Sequence, residues 1–271
     1  MTTAILIAAA TPLAVMLLVW AFHEVTHQSG WIDVAWTFAV GLAAVLGALW
    51  PFGEAGLRQG LYAAMAAAWS LRLGAHLFGR TLGHPDDPRY AKLRDDWGAK
   101  APWMMLGFLV MQAVAAAILA VSVVVVARAP VAGSDMGGLA LADLLAFALF
   151  LIAIVGEGVA DAQMRRFKAN PANRGGICDV GLWAWSRHPN YFFEWLSWAA
   201  IAIGALAAPG HLLGWLALAA PIMMLHLLLN VSGVPPLEEH LRATRGAAFD
   251  AYAARTSKFF PRPPKPPAEV A

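Results

Sequence analysis

The chain has 271 residues, of which 60% are hydrophobic and only 13% are charged, with a formal net charge of +2. This composition is too apolar for a soluble domain of that size and predicts an integral membrane protein. The single cysteine, Cys178, excludes an internal disulfide and any metal or iron–sulfur site built from several cysteines. No Lys or Arg precedes the first apolar run, so we expect that run to stay as a helix and not to be a cleaved signal peptide.

Apolar runs of about 20 residues, long enough to cross a bilayer, follow one another along the chain. They predict an all-α membrane protein of one domain with seven transmembrane helices, near residues 4–22, 31–50, 60–79, 102–127, 138–160, 190–207 and 211–232. We expect a short amphipathic helix near 237–256 and a disordered tail over 257–271, where prolines accumulate.

Basic residues are concentrated in the loops at 80–101 and 161–189 and in the segment after 233. With seven spans these three segments fall on one side of the membrane, and the positive-inside rule makes that side cytoplasmic. The sequence therefore predicts an N-terminus outside and a C-terminus in the cytoplasm. We expect a bacterial inner-membrane protein whose active site opens to the cytoplasm.

Ionisable and polar side chains recur inside the predicted spans, where each costs free energy unless it is paired or hydrated. They come at intervals of four on three helices: Arg72, His76 and Arg80; Glu157, Asp161 and Arg165; His226 and Asn230. Asp33 is alone on the second helix. All lie toward predicted cytoplasmic ends, which predicts one inner pocket, although an interhelical hydrogen-bond network could explain any single set.

The most informative stretch is GLWAWSRHPNYFFEWLSW, residues 181–198. Pro189 predicts a helix start, because proline is tolerated in the first turn. Asn190 and Glu194 then share one face of that helix. Arg187 and His188 lie beside the free N–H groups of the helix start, which favours bound phosphate. Trp183 could either cover a planar cofactor ring or anchor the loop.

Several common sites are excluded by motif. The chain has no G-x-G-x-x-G after a strand and no P-loop, so a soluble type of nucleotide domain is not expected. It has no nucleophile elbow for acyl-enzyme chemistry, and we expect no metal. The ten basic residues of the two loops instead favour a phosphorylated dinucleotide or another polyanion, with membrane topology alone as the alternative explanation.

These segments match a known family. GLWAWSRHPNYFFEW resembles the cofactor signature of the membrane steroid 5α-reductase family and its bacterial relatives. Further segments look like motifs of that bacterial group over nearly all of the chain: WIDVAWTFAVG, RLGAHLFGRT, DDPRYAKLRDDWG, ADAQMRRFK followed by NRGG, and PLEEHLRATRGAAFDAYAARTSKFFP. The R-H-P-N-Y run is also similar to signatures of sterol C14-type reductases and of isoprenylcysteine carboxyl methyltransferases.

The resemblance implies a seven-helix reductase that uses NADPH to deliver hydride to the β-carbon of an enone, typically a 3-oxo-Δ4 steroid. It implies that Asn190, Tyr191 and Glu194 hold the nicotinamide end, with Arg187 near phosphate. The full set of cofactor-binding residues carried over by matching position is Asp161, Arg165, Lys168, Arg174, Trp183, Arg187, His188, Asn190, Tyr191, Glu194, Glu238, Glu239, His240, Arg242 and Tyr252.

Conjugate reduction also needs an acid that stabilises the developing enolate. We favour Asp33 in helix two, which we expect to hydrogen-bond the substrate carbonyl. The tyrosine that the family places one turn before the R-T pair is Leu77 here, so His76 and Tyr62 stay open as acids. Together with Glu194, Asp33 and His76 form the predicted catalytic set.

Two other functions compete with the reductase. One is an S-adenosylmethionine-dependent methyltransferase acting on a lipid or prenyl thiol carboxylate, which needs less phosphate-binding charge. The other is a non-catalytic quinone- or lipid-binding protein. For the reductase we expect a steroid or enone lipid substrate within membrane lipid, no nucleic acid and no obligate protein partner.

Overall fold

The computed structural model describes residues 1–83, 86, 88–131 and 138–265, and these residues form helices and connecting turns with no strand. The first six helices are α1 (Thr2–Thr26), α2 (Trp31–Leu49), α3 (Leu57–Thr81), α4 (Pro88–Trp97), α5 (Ala101–Ala127) and α6 (Leu141–Ala169). The remaining helices are α7 (Leu182–Trp185), α8 (Pro189–Ile203), α9 (Ala219–His226), α10 (Val234–Arg245) and α11 (Ala247–Arg255).

Five helical stretches among the described residues are long and apolar enough to cross a membrane: Thr2–Thr26, Trp31–Leu49, Tyr90–Ala127, Leu141–Ala169 and Leu212–Arg245. The prediction of an all-α membrane protein is therefore confirmed at this level. The other two predicted spans are helical, as α3 and α8, but fall short by composition or length. α3 carries three arginines, and α8 has 15 residues before the backbone tightens into a 3₁₀ turn at Gly204–Ala207. Seven spans, and the sides of the termini, stay predictions.

By their internal contacts the residues fall into two compact units, each discontinuous along the chain. Unit 1 contains Met1–Phe147 with Ile201–Ala220, and unit 2 contains Ala148–Ala200 with Pro221–Ala271. The prediction of a single domain stays a prediction. In unit 1, α1, α2, α3 and α5 pack together, and small residues let their backbones approach. A Cβ on Gly47 would lie 2.6 Å from Val124 and 2.9 Å from the Ala4 carbonyl oxygen.

A buried ion pair ties together distant segments of unit 1. Arg58 Nε donates to Asp143 Oδ1 at 3.0 Å, and Tyr62 Oη donates to the same oxygen at 2.7 Å. The two Arg58 Nη atoms donate to the carbonyls of Ala129 and Gly204 at 2.8 and 2.7 Å. Every charge in this cluster is thus compensated by short hydrogen bonds, which buried charges require.

Unit 2 is organised around the start of α8. Pro189 begins the helix, as the sequence predicts. The predicted amphipathic helix near 237–256 is two helices, because Gly246 adopts φ 50° between α10 and α11 and only glycine takes that backbone conformation without strain.

The predicted tail differs from the structure over 257–265. Arg187 N donates to the Ser257 carbonyl at 2.8 Å, and Arg262 N donates to the Trp185 carbonyl at 3.0 Å. The ring of Phe260 also packs against Trp195, with centroids 5.6 Å apart. Burial of Phe259, the ring contact of Phe260 and backbone pairing hold this segment despite its prolines. Residues 266–271 lie outside the described part of the chain.

Candidate functional site

The turn before α8 is fixed by hydrogen bonds from both sides. Gly181, at φ 60°, starts the short helix α7, and Ser186 follows it in an extended conformation. Ser186 Oγ donates to the Phe259 carbonyl at 2.8 Å and accepts from the His188 N–H at 3.1 Å. The side chains that follow, Arg187 and His188, are therefore presented in one defined orientation.

Arg187 and His188 both bind the carboxylate of Glu238 on α10. Arg187 Nε lies 2.8 Å and His188 Nε2 lies 3.0 Å from Glu238 Oε1. Arg187 Nη1 also donates to the Thr256 carbonyl at 2.8 Å. The His188 ring stacks on Tyr191 with an interplanar angle of 7°. Arg187, predicted to lie near phosphate, thus has protein acceptors on two of its three nitrogens.

The electrostatics of His188 favour a neutral ring. Burial lowers the pKa of His188, and its hydrogen bond to Glu238 only partly offsets this effect. A neutral ring that donates its Nε2 proton to Glu238 has Nδ1 as an acceptor. His188 Nδ1 is buried and has no hydrogen-bond partner among the described residues. It is therefore suited to accept a hydrogen bond from a ligand amide.

Trp183 and Tyr252 pack under this turn. Trp183 is buried, and its Nε1 donates to the Ala160 carbonyl at 3.0 Å. Tyr252 Oη donates to the Trp183 carbonyl at 2.6 Å, and burial raises the pKa of Tyr252, so this hydroxyl stays a donor. These contacts match the loop-anchoring role for Trp183, one of the two roles considered from sequence.

Asn190 and Glu194 lie one turn apart on α8 and share a face, as predicted. Glu194 is buried and accepts a hydrogen bond from Trp198 Nε1 at 3.1 Å, while Asn190 is half-buried. A carboxylate and an amide at the start of one helix can orient a polar ring substituent through two directed hydrogen bonds.

The cations at the end of α6 differ from those of the turn. Arg165, Lys168 and Arg174 are exposed and have no hydrogen-bond or ion-pair partner among the residues that the structure describes. By contrast, Arg242 pairs with Asp250 at 3.2 Å. Asp161, Arg165 and Lys168 lie on one side of α6, because helix residues three, four and seven apart share a face. This side can hold a polyanion.

A pocket of about 400 Å³ lies beside α10, lined by Val234, Pro235, Glu238, Glu239, Arg242, Ala243 and Lys258. It brings together three of the predicted cofactor residues: Glu238, Glu239 and Arg242. His240, also predicted, is exposed on α10 and does not line it. Sequence reasoning missed Lys258, which also lines this pocket. Its position in the T-S-K-F-F run of the C-terminal segment that resembles the family could have indicated it.

Asp33 of unit 1 has a partner that sequence reasoning missed. Tyr90 Oη on α4 donates to Asp33 Oδ1 at 2.7 Å, and Gln112 Nε2 on α5 donates to Tyr90 Oη at 3.2 Å. Gln112 Oε1 is buried with no partner in the described part of the chain. Tyr90 lies in the D-D-P-R-Y-A-K motif, so a signal was present. A polar group with one unused acceptor thus lies among Trp36, Phe108 and other apolar side chains.

The register of α2 against α3 separates the other two acid candidates. Ser70 Oγ donates to the Thr37 carbonyl at 3.0 Å, and Thr81 Oγ1 donates to the Gly30 carbonyl at 3.2 Å. This antiparallel register places His76 level with Asp33 along the pair. Tyr62 is 14 residues from His76 on α3, a distance of about 20 Å along the helix axis. Of the two alternatives, the register brings only His76 to the level of Asp33.

Comparison of the sequence with protein-family models gives one match that covers most of the chain. A family model described as protein of unknown function (DUF1295) matches residues 19–256, which is most of the chain. The chain belongs to the DUF1295 family. No solved structure matches it.

Two relatives in this comparison are partial matches. A protein named probable O-methyltransferase ustE, from Ustilaginoidea virens, is 38% identical over 80 residues, which cover 28% of each chain. An uncharacterized protein of Schizosaccharomyces pombe is 29% identical over 138 residues, covering 44% of this chain and 39% of the relative. The matched parts of the chain thus span less than half the length of these relatives.

Proposed function

We propose that this DUF1295 protein is a membrane reductase that uses NADPH to reduce the C4–C5 double bond of a 3-oxo-Δ4 steroid or a similar enone lipid. The observation that carries the proposal is the set of exposed cations Arg165, Lys168 and Arg174, which have no partner among the described residues. Arg242, by contrast, has an acidic neighbour, Asp250, at 3.2 Å. Motif resemblance to the steroid 5α-reductases supports the same reading.

The residues of unit 2 account for cofactor binding. Arg165, Lys168 and Arg174 bind phosphate oxygens, since charged donors pair strongly with phosphate. His188 Nδ1 accepts a hydrogen bond from an amide, and Asn190 and Glu194 orient the same end of the ligand. When bound, NADPH supplies the hydride.

The residues of unit 1 account for the proton. Asp33 hydrogen-bonds the enone carbonyl oxygen and gives the proton that the enolate needs. Tyr90 holds the Asp33 carboxyl in one orientation through its 2.7 Å hydrogen bond, and Gln112 in turn fixes the Tyr90 hydroxyl. The apolar surroundings of this group exclude water and suit a lipid with one polar oxygen.

Ligand-dependent thermal stability of the detergent-purified protein tests the cofactor. NADPH at 100 times its Kd stabilises the folded state by about 2.7 kcal/mol, which raises the Tm. Lys168→Gln weakens NADPH binding tenfold or more, since a hydrogen bond to a charged group contributes about 1.5–3 kcal/mol. The control is Lys100→Gln, an exposed lysine outside the proposed site, which leaves the NADPH response unchanged. If NADPH raised the Tm of both variants equally, Lys168 and its side of α6 would not be the phosphate site.

Methyl transfer is the second candidate, and the observation behind it is the name of the Ustilaginoidea virens relative, a probable O-methyltransferase. S-adenosylmethionine carries no phosphate, so its binding gives no role to Arg165, Lys168 and Arg174. Stabilisation by S-adenosylmethionine and not by NADPH would overturn the reductase proposal.

The activity itself gives a further test of the reductase proposal. Asn190→Ala and Glu194→Gln abolish reduction of a 3-oxo-Δ4 steroid at unchanged expression.

A further inference from the structure

A second cleft lies at the C-terminal end of α6, outside the proposed cofactor face. It has a volume of about 610 Å³, and its lining includes Gln163, Arg166, Phe167, Asn170, Asn173 and Ile177. None of these residues belongs to the cofactor or catalytic sets described above. The cleft therefore needs its own explanation.

Helix geometry separates this cleft from the cofactor face. Successive residues of an α-helix are rotated by about 100°, so Gln163 and Phe167 lie about 40° apart on α6, and Asn170 directly follows its last residue. By the same rotation, Arg165 and Lys168 lie roughly on the opposite side of α6. A ligand bound by Arg165 and Lys168 would therefore lie outside the cleft.

Arg166, at the edge of the cleft, continues the exposed apolar side of α6. The exposed apolar residues Ile152, Val155 and Val159 of this predicted span lie within about 60° of the Arg166 direction when 100° is taken per residue. The helix has 29 residues, a length of about 43 Å against a hydrocarbon thickness of about 30 Å. Its last turns therefore extend into the headgroup region, and Arg166 lies there.

The chemistry of the cleft is that of a phosphate site with an apolar floor. Arg166 is exposed and has no acceptor among the described residues. Asp179, the acidic residue of the lining, is neutralised by an ion pair with Arg255. Asn170 Oδ1 accepts from the Ala172 N–H at 3.1 Å and Asn173 Nδ2 donates to the Phe167 carbonyl at 2.9 Å, so the loop that walls the cleft is held in place.

We propose that this cleft binds the headgroup of an anionic phospholipid. Arg166 pairs with the phosphate, and Phe167 and Ile177 contact the apolar part of the lipid below it. A cation in the last turn of a helix also complements the helix dipole. That effect explains the charge of Arg166, but it does not explain the cleft beside it, in line with the exposed apolar side of α6.

Thermal stability of the full chain in neutral detergent tests this proposal without nucleotide. Phosphatidylglycerol raises the Tm more than phosphatidylcholine does. Arg166→Gln weakens the apparent affinity for phosphatidylglycerol about fivefold, the loss expected for one interfacial cation. The matched control is Arg165→Gln, which removes the same charge one residue away, about 100° around the helix and outside the cleft lining, and keeps the phosphatidylglycerol response.

Three results overturn the proposal. The first is an equal response to the two lipids. The second is an equal loss of the phosphatidylglycerol response in both variants, which would mean diffuse surface charge. The third is an equal shift with soluble glycerol phosphate, which would make the ligand a free phosphate. Failure of NADPH to bind leaves all three readouts intact, so the lipid site and the proposed reductase fail separately.

Discussion

Glu238 accepts hydrogen bonds from two neighbouring side chains, Arg187 and His188, through a single carboxylate oxygen. Because Arg187 is always protonated, it compensates the charge of Glu238 without a second cation. His188 can then stay neutral and act only as a hydrogen-bond donor. This division leaves one ring nitrogen, Nδ1, for a ligand and makes the protonation state of His188 important for stability.

The stability of unit 2 is expected to depend on pH through His188. Burial lowers its pKa in the folded protein below the ordinary value of 6.5, so the unfolded chain binds the proton more readily. The free energy of unfolding is therefore unaffected by His188 above pH 6.5 and falls as the pH decreases from 6.5 toward the lowered pKa. The measurement is Tm in detergent between about pH 7.5 and 5.5.

A variant and a control isolate this histidine. His188→Asn keeps a donor toward Glu238 but does not titrate, so its Tm falls less steeply with decreasing pH. His240→Asn, on the exposed side of α10, keeps the slope of the unchanged protein. A slope that is the same in all three proteins would assign the pH dependence to other groups.

Among the helices, the features that depend only on neighbouring residues could be predicted from the sequence. The start of α8 at Pro189 and the shared face of Asn190 and Glu194 follow from helix geometry alone and are present in the structure. The ordered structure of residues 257–265 could not be predicted, because it depends on backbone pairing with the turn at Ser186–Arg187, which is far away in sequence. The same holds for Tyr90, whose partner Asp33 is 57 residues distant.

The buried pair Arg58–Asp143 connects elements, and its loss is expected to be costly. Asp143→Asn keeps an acceptor for Tyr62 but leaves the Arg58 charge uncompensated, and removing one partner of a buried pair destabilises by about 3–5 kcal/mol. Chemical unfolding in detergent measures this loss. The control is Asp96→Asn in the pair with Lys92, whose side chains are 55% and 74% exposed, and no measurable change is expected there. Similar stability of both variants would contradict a structural role for the buried pair.

For the whole molecule, the number of spans depends on α3 and α8. α3 has 25 residues, a length of about 37 Å, which is enough to cross the hydrocarbon layer. It packs against α2 and α5, so part of its surface is shielded from lipid and a less apolar composition is tolerated. Arg58 is neutralised at one end, and Arg80 lies in the last turn at the other. We therefore expect α3 to span the membrane.

The single cysteine makes this expectation testable by thiol labelling. In a Cys178→Ala background, Glu54→Cys reports on the turn before α3 and Lys100→Cys on the turn before α5. If α3 crosses, the two positions lie on opposite sides. An impermeant thiol reagent then labels Glu54→Cys in intact cells, and Lys100→Cys only after permeabilisation, because the basic loop at 80–101 is cytoplasmic by the positive-inside rule. Labelling of both positions from the same side would exclude α3 as a span and reduce the count below seven.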